Sequence, residues 1–341
     1  MSKLQKDHIA SALAKLGQQL SEPQGDVQHI IQTEQHYNAW FTPDSVTSAI
    51  TAWGEALNET DIDTWLSKYL QLSGREPKKV GLILAGNIPL VGLHDVLSVL
   101  ASGHHALIKA STQDARLIKQ VLKLLVDIEP AFADQFSFIE RLTDFDAVIA
   151  TGSNNSSRYF DYYFGKVPNI IRKNRNSVAV LTGNESSEEL SRLGHDIFDF
   201  YGLGCRNVSK LLVPEGYNFN HFFESIEDQK AIIHHHKYNN NYDYNKSIYL
   251  VNGDKHLDNG FLLVKEDERM ASPLAVVYFE YYKDEQAITE LLLRDSDNIQ
   301  CIVTNVPLQV PNQVVTFGQS QHPALWDYAD GIDTMDFLAD L

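Results

Sequence analysis

The sequence predicts an α/β chain in which a helical N-terminal portion precedes two open, mostly parallel sheets. Three observations point there. From Lys79 onward, short apolar runs alternate with amphipathic stretches of helical spacing, the pattern of strands joined by crossover helices. The first block of runs ends in polar or glycine-bearing turns, Gly86-Asn87, Lys109 to Thr112 and Thr151-Gly152-Ser153. A parallel sheet collects such turns at its carboxyl edge, where its ligands bind. A second block, residues 185–315, shows the same alternation and carries a cysteine in a glycine-bearing turn.

At 341 residues the chain has room for two domains with full cores. Its formal net charge of -17, from 28 Lys+Arg against 45 Asp+Glu, repels phosphate backbones and excludes nucleic acid as a partner. Two cysteines in unlike settings make no disulfide framework, and reduced thiols suit a cytoplasmic protein. No run approaches the roughly 18 apolar residues of a membrane span. Met1 to Leu20 has polar residues throughout, unlike a signal peptide.

Residues 1–75 make the helical portion. Leu4, Ile9, Leu13, Leu16 and Leu20 recur at near-helical spacing, Ser21 to Gly25 breaks the pattern, and residues 43–72 hold two more helices. The first starts at Pro43-Asp44 and the second is capped by Asp61. Trp40, Phe41, Trp53 and Trp65 supply apolar surface for packing on the next domain, and no chemistry is assigned to them. Residues 76–184 make the first α/β domain, with strands beginning at Val80 and over 105–111, 136–139, 147–153 and 177–183. Helices cover 92–102 and 113–127, and N-N-S-S-R-Y-F-D-Y-Y-F continues the fourth strand into another. Residues 185–315 make the second domain. It holds a helix over 188–200, a strand at 210–214, a helical stretch over 219–237 and a polar loop over Y-N-N-N-Y-D-Y-N. Strands follow at S-I-Y-L-V-N, F-L-L-V, L-A-V-V-Y-F and I-Q-C-I-V-T-N, with a helix from Asp284 to Arg294 between the last two. The place of the tail, 316–341, is left open.

The stretch F-Y-G-L-G-C-R-N-V-S-K-L-L-V-P, residues 200–214, carries the candidate chemistry. Gly202 and Gly204 permit backbone geometries that a Cβ forbids and leave the approach to Cys205 open. Arg206 follows directly, and a fixed positive charge lowers a thiol's pKa toward the thiolate. Cys301, inside I-Q-C-I-V, is a packed thiol by its setting. Cys205 is the candidate nucleophile, with inert packing as the alternative.

There is no G-x-G-x-x-G, so the ordinary dinucleotide fingerprint is missing. Instead G-N-I-P-L (86–90), I-K-A-S (108–111) and T-G-S (151–153) occur in order ahead of G-L-G-C. Each alone is a plain turn; their order is far more specific. Together they resemble the aldehyde dehydrogenase superfamily, and within it the LuxC-like long-chain acyl-CoA reductases, from about Trp40 to the D-Y-A-D-G-I-D-T-M-D-F-L end. The resemblance implies an aldehyde dehydrogenase-like fold, two α/β domains with a cleft between them. It implies Cys205 as nucleophile and the Asn87 amide as part of an oxyanion hole. Lys109 would hold the adenosine ribose, with Ser111 and Thr112 beside it, and Thr151, Gly152 and Ser153 would meet the cofactor pyrophosphate. A side-chain amide with the Cys205 N–H can stabilise a tetrahedral oxyanion.

Two departures from the superfamily matter. Hydrolytic members carry a glutamate that activates water, and the segment where it falls here, I-I-R-K-N-R-N (170–176), has no carboxylate. The ribose-binding E-x-F-G-P has its nearest match in E-R-M-A-S-P (268–273), with Glu268 one place too far from Pro273. The resemblance therefore implies NADPH-dependent reduction of an acyl-CoA, in the first instance a fatty acyl-CoA, to the aldehyde through a cysteine acyl-enzyme. The substrate is an acyl-CoA or acyl-protein thioester. NADPH leads over NADH because Thr112 stands where NAD-selective relatives place a glutamate. A non-acylating aldehyde dehydrogenase and a catalytically silent binding or scaffold protein of the same fold stay open as alternatives, as does a homo-oligomer. A silent copy, however, has no reason to keep Cys205, Asn87 and Lys109 together. His234, His235 and His236 as consecutive helical residues point about 100° apart and cannot all face one ion, so no metal site is assigned. Asp327, Asp330, Asp333, Asp336 and Asp340 lack an EF-hand pattern and are assigned to solvated or interface roles.

Overall fold

The apolar spacing at the N-terminus forms the expected helix. In the structure, a computed structural model that describes residues 6–69 and 76–341, α1 (Lys6–Ser21) buries Ile9, Leu13, Leu16 and Leu20. Leu4 and residues 70–72 of the expected helices lie outside the described residues. A further helix, α2 (Gly25–Thr33), follows the break, then α3 (Pro43–Ala56) and α4 (Glu59–Ser67). A Cβ on Gly17 would lie 2.4 Å from the Leu57 carbonyl oxygen, and one on Gly54 would lie 2.5 Å from the Ser21 backbone nitrogen. Helix α1 and the end of α3 therefore meet backbone to backbone, an approach only glycine allows. The cap of α4 is Asn58, whose Oδ1 accepts the Asp61 N–H at 2.9 Å. Asp61 sits inside the first turn, where its charge suits the helix dipole without making it the cap.

These helices share one core with a five-stranded parallel sheet. The elements run β1 (Lys79–Ile83), α5 (Leu93–Ala101), β2 (His105–Lys109), α6 (Ala115–Ile128), β3 (Phe136–Phe138), β4 (Ala147–Thr151), α7 (Asn154–Phe164) and β5 (Asn169–Arg172). Strand order is β3-β2-β1-β4-β5. The chain thus builds outward from β1 on one side and returns to its other side with β4, which makes the β1/β4 edge a topological switch point.

The second unit, Arg175–Pro323, is a seven-stranded sheet with its own helices. It comprises β6 (Asn176–Val180), α8 (Ser187–Phe198), β7 (Val208–Pro214), α9 (Phe219–Ser225), α10 (His236–Asn252), β8 (Leu257–Asp258), β9 (Leu263–Glu266), β10 (Val276–Tyr282), α11 (Glu285–Arg294), β11 (Ile299–Val303) and β12 (Gln313–Val315). The order is β12-β11-β6-β7-β10-β9-β8, parallel throughout except for β8 on β9. Two expectations are corrected here. The run at 177–183, assigned to the first domain, gives β6, which pairs with β11 and β7 in the second sheet. An apolar strand buried on both faces fits either sheet by pattern alone. The polar loop at 238–245 and the strand at 247–252 are one helix, α10. Tyr238, Tyr242, Asn245 and Tyr249 form its buried stripe at helical spacing, and this packing overrides the weak helix propensity of the asparagines. Because α10 starts at His236, the three histidines do not lie on one helix. His235 is its cap, and its ring lies 4.3 Å from that of Tyr201, tilted by 37°.

The tail returns to the first unit, which joins the residues up to Asn174 with Ala324–Leu341. Its helix α12 (Thr334–Ala339) is capped by Asp333, which also accepts the Tyr69 hydroxyl at 2.6 Å. The single Tyr69 proton being used there, Tyr328 must donate to the Tyr69 oxygen (2.9 Å), and Trp65 Nε1 donates to Tyr328 (2.9 Å). Burial pushes the Tyr69 and Tyr328 phenols well above their usual pKa, so both remain donors. His104 completes the attachment: its Nδ1 accepts the Lys78 N–H at 3.0 Å, so the proton on Nε2 goes to the Leu338 carbonyl at 2.9 Å. Replacing Tyr328 by Phe leaves the buried Trp65 N–H without an acceptor. Urea unfolding should show a loss of about 1–3 kcal/mol, whereas the same change at the exposed Tyr162 should cost almost nothing.

Candidate active site

In the first unit, strand register brings three turns level with one another. Ile83 lies opposite both Lys109 and Ala150, so β1, β2 and β4 end together. The Leu84 N–H donates to the Lys109 carbonyl at 3.1 Å, and a Cβ on Gly86 would lie 2.5 Å from Ser111 Oγ. The turn bearing Asn87 is therefore pressed against the loop after β2. Asn87 and Ser111 are half-buried, while Lys109 and Thr112 are exposed. Ser111 Oγ accepts the Gln113 N–H at 3.3 Å. Across the switch point, the Gly152 N–H donates to the Arg172 carbonyl at 3.3 Å, and a Cβ on Gly152 would come within 2.8 Å of the Phe160 ring. Ser153 caps α7, its Oγ accepting the Ser156 N–H at 3.2 Å. Thr151, half-buried, ends β4. The fold thus gathers Asn87, Lys109, Ser111, Thr112, Thr151, Gly152 and Ser153 along one sheet edge. It includes a helix N-terminus, whose free N–H groups and dipole suit an anion. The segment without a carboxylate ends β5 in Arg172, only 5% exposed, which pairs with Asp95 and donates to Thr334 Oγ1 at 2.9 Å.

In the second unit, Cys205 lies partly exposed in the turn from α8 to β7. That turn has three successive left-handed residues, Phe200 (φ 52°), Tyr201 (φ 60°) and Gly202 (φ 77°), and only the last is glycine. Asn207 holds it. Its Nδ2 donates to the carbonyls of Asp196 (3.2 Å), Ile197 (3.3 Å) and Asp199 (2.8 Å), the ends that α8 leaves unpaired, and its Oδ1 accepts the Gly204 N–H at 2.8 Å. Ser177 Oγ donates to the Cys205 carbonyl at 3.1 Å. With that proton used, the contact of 3.1 Å to Cys301 Sγ is a thiol donating to Ser177. A cavity of about 40 Å³, water-sized, adjoins the turn at Tyr201, Gly202, Asn207 and Leu274.

Arg206 is held by a segment more than a hundred residues away. Its Nη2 donates to Gln313 Oε1 at 2.9 Å and its Nη1 to the Ser320 carbonyl at 3.4 Å. Burial pushes the Cys301 thiol up, and the Arg206 charge pulls it part of the way back. Asp196, its carboxyl raised by burial, accepts the N–H groups of Gly318 (2.6 Å) and Ser320 (2.9 Å), so α8, Arg206 and the 318–320 loop form one brace. Glu268 is exposed, and its carbonyl accepts the buried Lys210 Nζ at 2.7 Å. Sequence reasoning missed Asn207, Ser177 and Asp196. Asn207 stood two residues from Cys205, but a lone asparagine beside glycines is an ordinary turn residue.

No family model matches the chain, and no curated protein matches it by sequence. Solved structures do match. Aldehyde dehydrogenase 21 from Physcomitrella patens, in complex with its reaction product succinate, aligns over 99% of this chain and 84% of its own, with a TM-score of 0.68 and 15% identity. The P. syringae indole-3-acetaldehyde dehydrogenase AldA, a mutant in complex with NAD+ and IAA, aligns over 92% and 77%, at 0.69 and 11%. An NADP-dependent glyceraldehyde-3-phosphate dehydrogenase from Bacillus halodurans, complexed with NADP, aligns over 88% and 74%, at 0.63 and 13%. The chain has an aldehyde dehydrogenase-like fold.

The two thiols differ in access. Iodoacetamide at neutral pH should modify Cys205 alone in the native protein and Cys301 only after denaturation, as peptide mass mapping would show. Native labelling of Cys301 at the same rate would contradict this placement.

Proposed function

We propose that this protein is a nicotinamide-dependent oxidoreductase working at the aldehyde level, and that it reduces an acyl-CoA thioester, in the first instance fatty acyl, to the aldehyde through Cys205. The observation that carries the direction of the chemistry is the 170–176 segment. Where a water-activating glutamate would be needed, β5 ends in a buried arginine already paired with Asp95.

The cofactor edge supports a dinucleotide on its chemistry. The capped N-terminus of α7, entered through Thr151, Gly152 and Ser153, suits a pyrophosphate. Exposed Lys109 offers a cation at the strand end, with Ser111 and Thr112 as neutral hydroxyls beside it. The loop 110–113 presents no carboxylate to repel a 2′-phosphate, which favours NADPH over NADH. When bound, the nicotinamide supplies a hydride.

In the proposed reaction the Cys205 thiolate attacks the thioester carbonyl, a new C–S bond forms, and the C–S bond to CoA breaks with CoA leaving as its thiolate. Exchange of one thioester for another is nearly balanced, so positioning and oxyanion donors matter more than a strong base. The Asn87 amide and the Cys205 N–H are the proposed donors. Hydride addition at the acyl carbon leaves a thiohemiacetal alkoxide, whose oxygen re-forms the carbonyl as the C–S bond breaks, so that Cys205 returns as thiolate with free aldehyde. Without an activating base, loss of the acyl-enzyme to water is slower by roughly 10²–10⁴. An acyl-protein thioester meets the same requirements. The similar structures named as aldehyde dehydrogenases favour a second reading, aldehyde oxidation through the same thiohemiacetal. Among the described residues no helix is long and apolar enough to cross a membrane.

Mass spectrometry after incubation with acyl-CoA and no nucleotide should find an acyl adduct on Cys205 that NADPH discharges as aldehyde. Cys205→Ala should abolish adduct and aldehyde, and Asn87→Ala should keep nucleotide binding while losing about 10²–10³ in rate. No adduct with any chain length, or full rate in Cys205→Ala, would sink the proposal. Thr112→Glu should weaken NADPH more than NADH in fluorescence titrations; a wild-type kcat/KM that strongly prefers NADH would reverse the cofactor assignment.

A further inference from the structure

Asp114 is a buried acid with no part in the reaction as described. It is 1% exposed and stands just before α6, at the end of the loop that begins with Lys109. Its Oδ2 accepts the Leu90 N–H at 3.0 Å, and its Oδ1 has no partner among the described residues. Leu90 is the last residue of G-N-I-P-L and sits at φ 59°, a left-handed conformation that a leucine holds only when its surroundings fix it. The Leu90 carbonyl in turn receives the Leu93 N–H at 3.0 Å, where α5 begins. The Asp114 backbone N–H is bonded to the Ser111 carbonyl at 3.1 Å, and its Cβ lies 3.3 Å from the position a Cβ on Gly86 would take. One residue therefore holds the turn that carries Asn87 with its carboxyl and the Lys109 loop with its backbone.

The groups facing it decide its state. Asp114 is buried, and the charge that acts on it is that of Glu34, itself 1% exposed, whose carboxylate accepts Arg116 Nε at 3.0 Å. Burial raises the Asp114 carboxyl well above the usual range, and the Glu34 charge pushes the same way, while the Leu90 N–H opposes them. Arg116 is taken up by Glu34 and by the Tyr37 ring, 3.6 Å from its guanidinium. An asparagine would keep the acceptor that Leu90 needs and carry no charge.

We infer that Asp114 is a positioning residue that locks the Asn87 turn onto the Lys109 loop through the Leu90 N–H. It acts on the acyl-transfer step through Asn87 and touches neither substrate nor cofactor. This rests on the function proposed above for Asn87.

The test combines Asp114→Ala and Asp114→Asn with Asn87→Ala. Single-turnover acylation of Cys205 should fall about tenfold or more in Asp114→Ala and recover to within about threefold of wild type in Asp114→Asn. In the Asn87→Ala background, Asp114→Ala should add less than about threefold, because both changes remove the same effect. Additive losses, an unchanged rate in Asp114→Ala, or an Asp114→Asn variant as slow as the alanine one would overturn the inference. If Asp114→Ala does not fold, Asp114→Thr, which is polar but reaches less far, replaces it. Should the wild type give no acyl adduct, the functional reading fails and amide exchange decides instead. Faster exchange over 86–90 in Asp114→Ala but not in Asp114→Asn upholds the lock, and equal exchange in all three removes it.

Discussion

The turn that carries Cys205 depends on one side-chain amide, that of Asn207. Holding Phe200 and Tyr201 in left-handed conformations costs about 1–3 kcal/mol for each residue, and the chain does so immediately before Cys205. What offsets that cost is Asn207, whose Nδ2 gathers three carbonyls at the end of α8 and whose Oδ1 fixes the Gly204 N–H. Aspartate would have no N–H to give those carbonyls, and serine would not reach them all. The cysteine is thereby set on a turn whose shape is fixed from behind, by α8 and by Ser177 on β6, and its own side chain need contribute nothing. A nucleophile that must be both reachable and fixed is well served by that division.

The first unit solves a similar problem with glycine. Gly86 lets the Asn87 turn close onto Ser111, and Gly152 lets the next turn close onto Phe160, so each site loop leans on a neighbour. In both units the groups with proposed chemical roles are exposed or half-buried, and the residues that hold them, Asp114 and Asn207, are almost wholly buried. The division has a physical basis: a hydrogen bond orients a loop best where water cannot compete for its donor and acceptor.

Much of the frame was legible because periodicity reports burial directly. Leu13, Leu16 and Leu20 announce α1, and the runs around Leu82, Ile108 and Ile149 announce the central strands of the first sheet. What stayed hidden depends on partners distant in sequence. Nothing in S-V-A-V-L says that β6 pairs with β11 rather than with β4. The stripe of tyrosines in α10 was masked by asparagines, whose local preference for turns gives way when Tyr238 and Tyr242 find acceptors in the Phe261 carbonyl and Asp258. The tail could not be placed because Tyr69 and Asp333, and likewise Trp65 and Tyr328, meet across most of the chain. For the site, the strand-end turns were legible, but the partners of Arg206 were not, for a simple reason. Adjacency in sequence says nothing of direction, and successive side chains in a turn diverge. Its guanidinium braces Gln313 and Ser320, a role in the fold distinct from its place beside Cys205 in the sequence.

That distinction bears on how the proposed acyl-enzyme would avoid water. Hydrolysis needs a base beside the thioester with a free lone pair and a path to solvent. One acid in contact with the 170–176 segment is Asp95, only 4% exposed. It is also paired with Arg172, whose second nitrogen is fixed by Thr334 in the tail. Breaking such a buried pair from one side costs about 3–5 kcal/mol, so neither partner is free to turn outward as a proton acceptor. The same tail that staples the N-terminal helices therefore also keeps this carboxylate in place, and in the proposed scheme stability and chemical selectivity draw on one set of contacts. A segment that cannot supply a base leaves the acyl carbon to whichever reactant is positioned for it, and in the proposed scheme that reactant is the hydride.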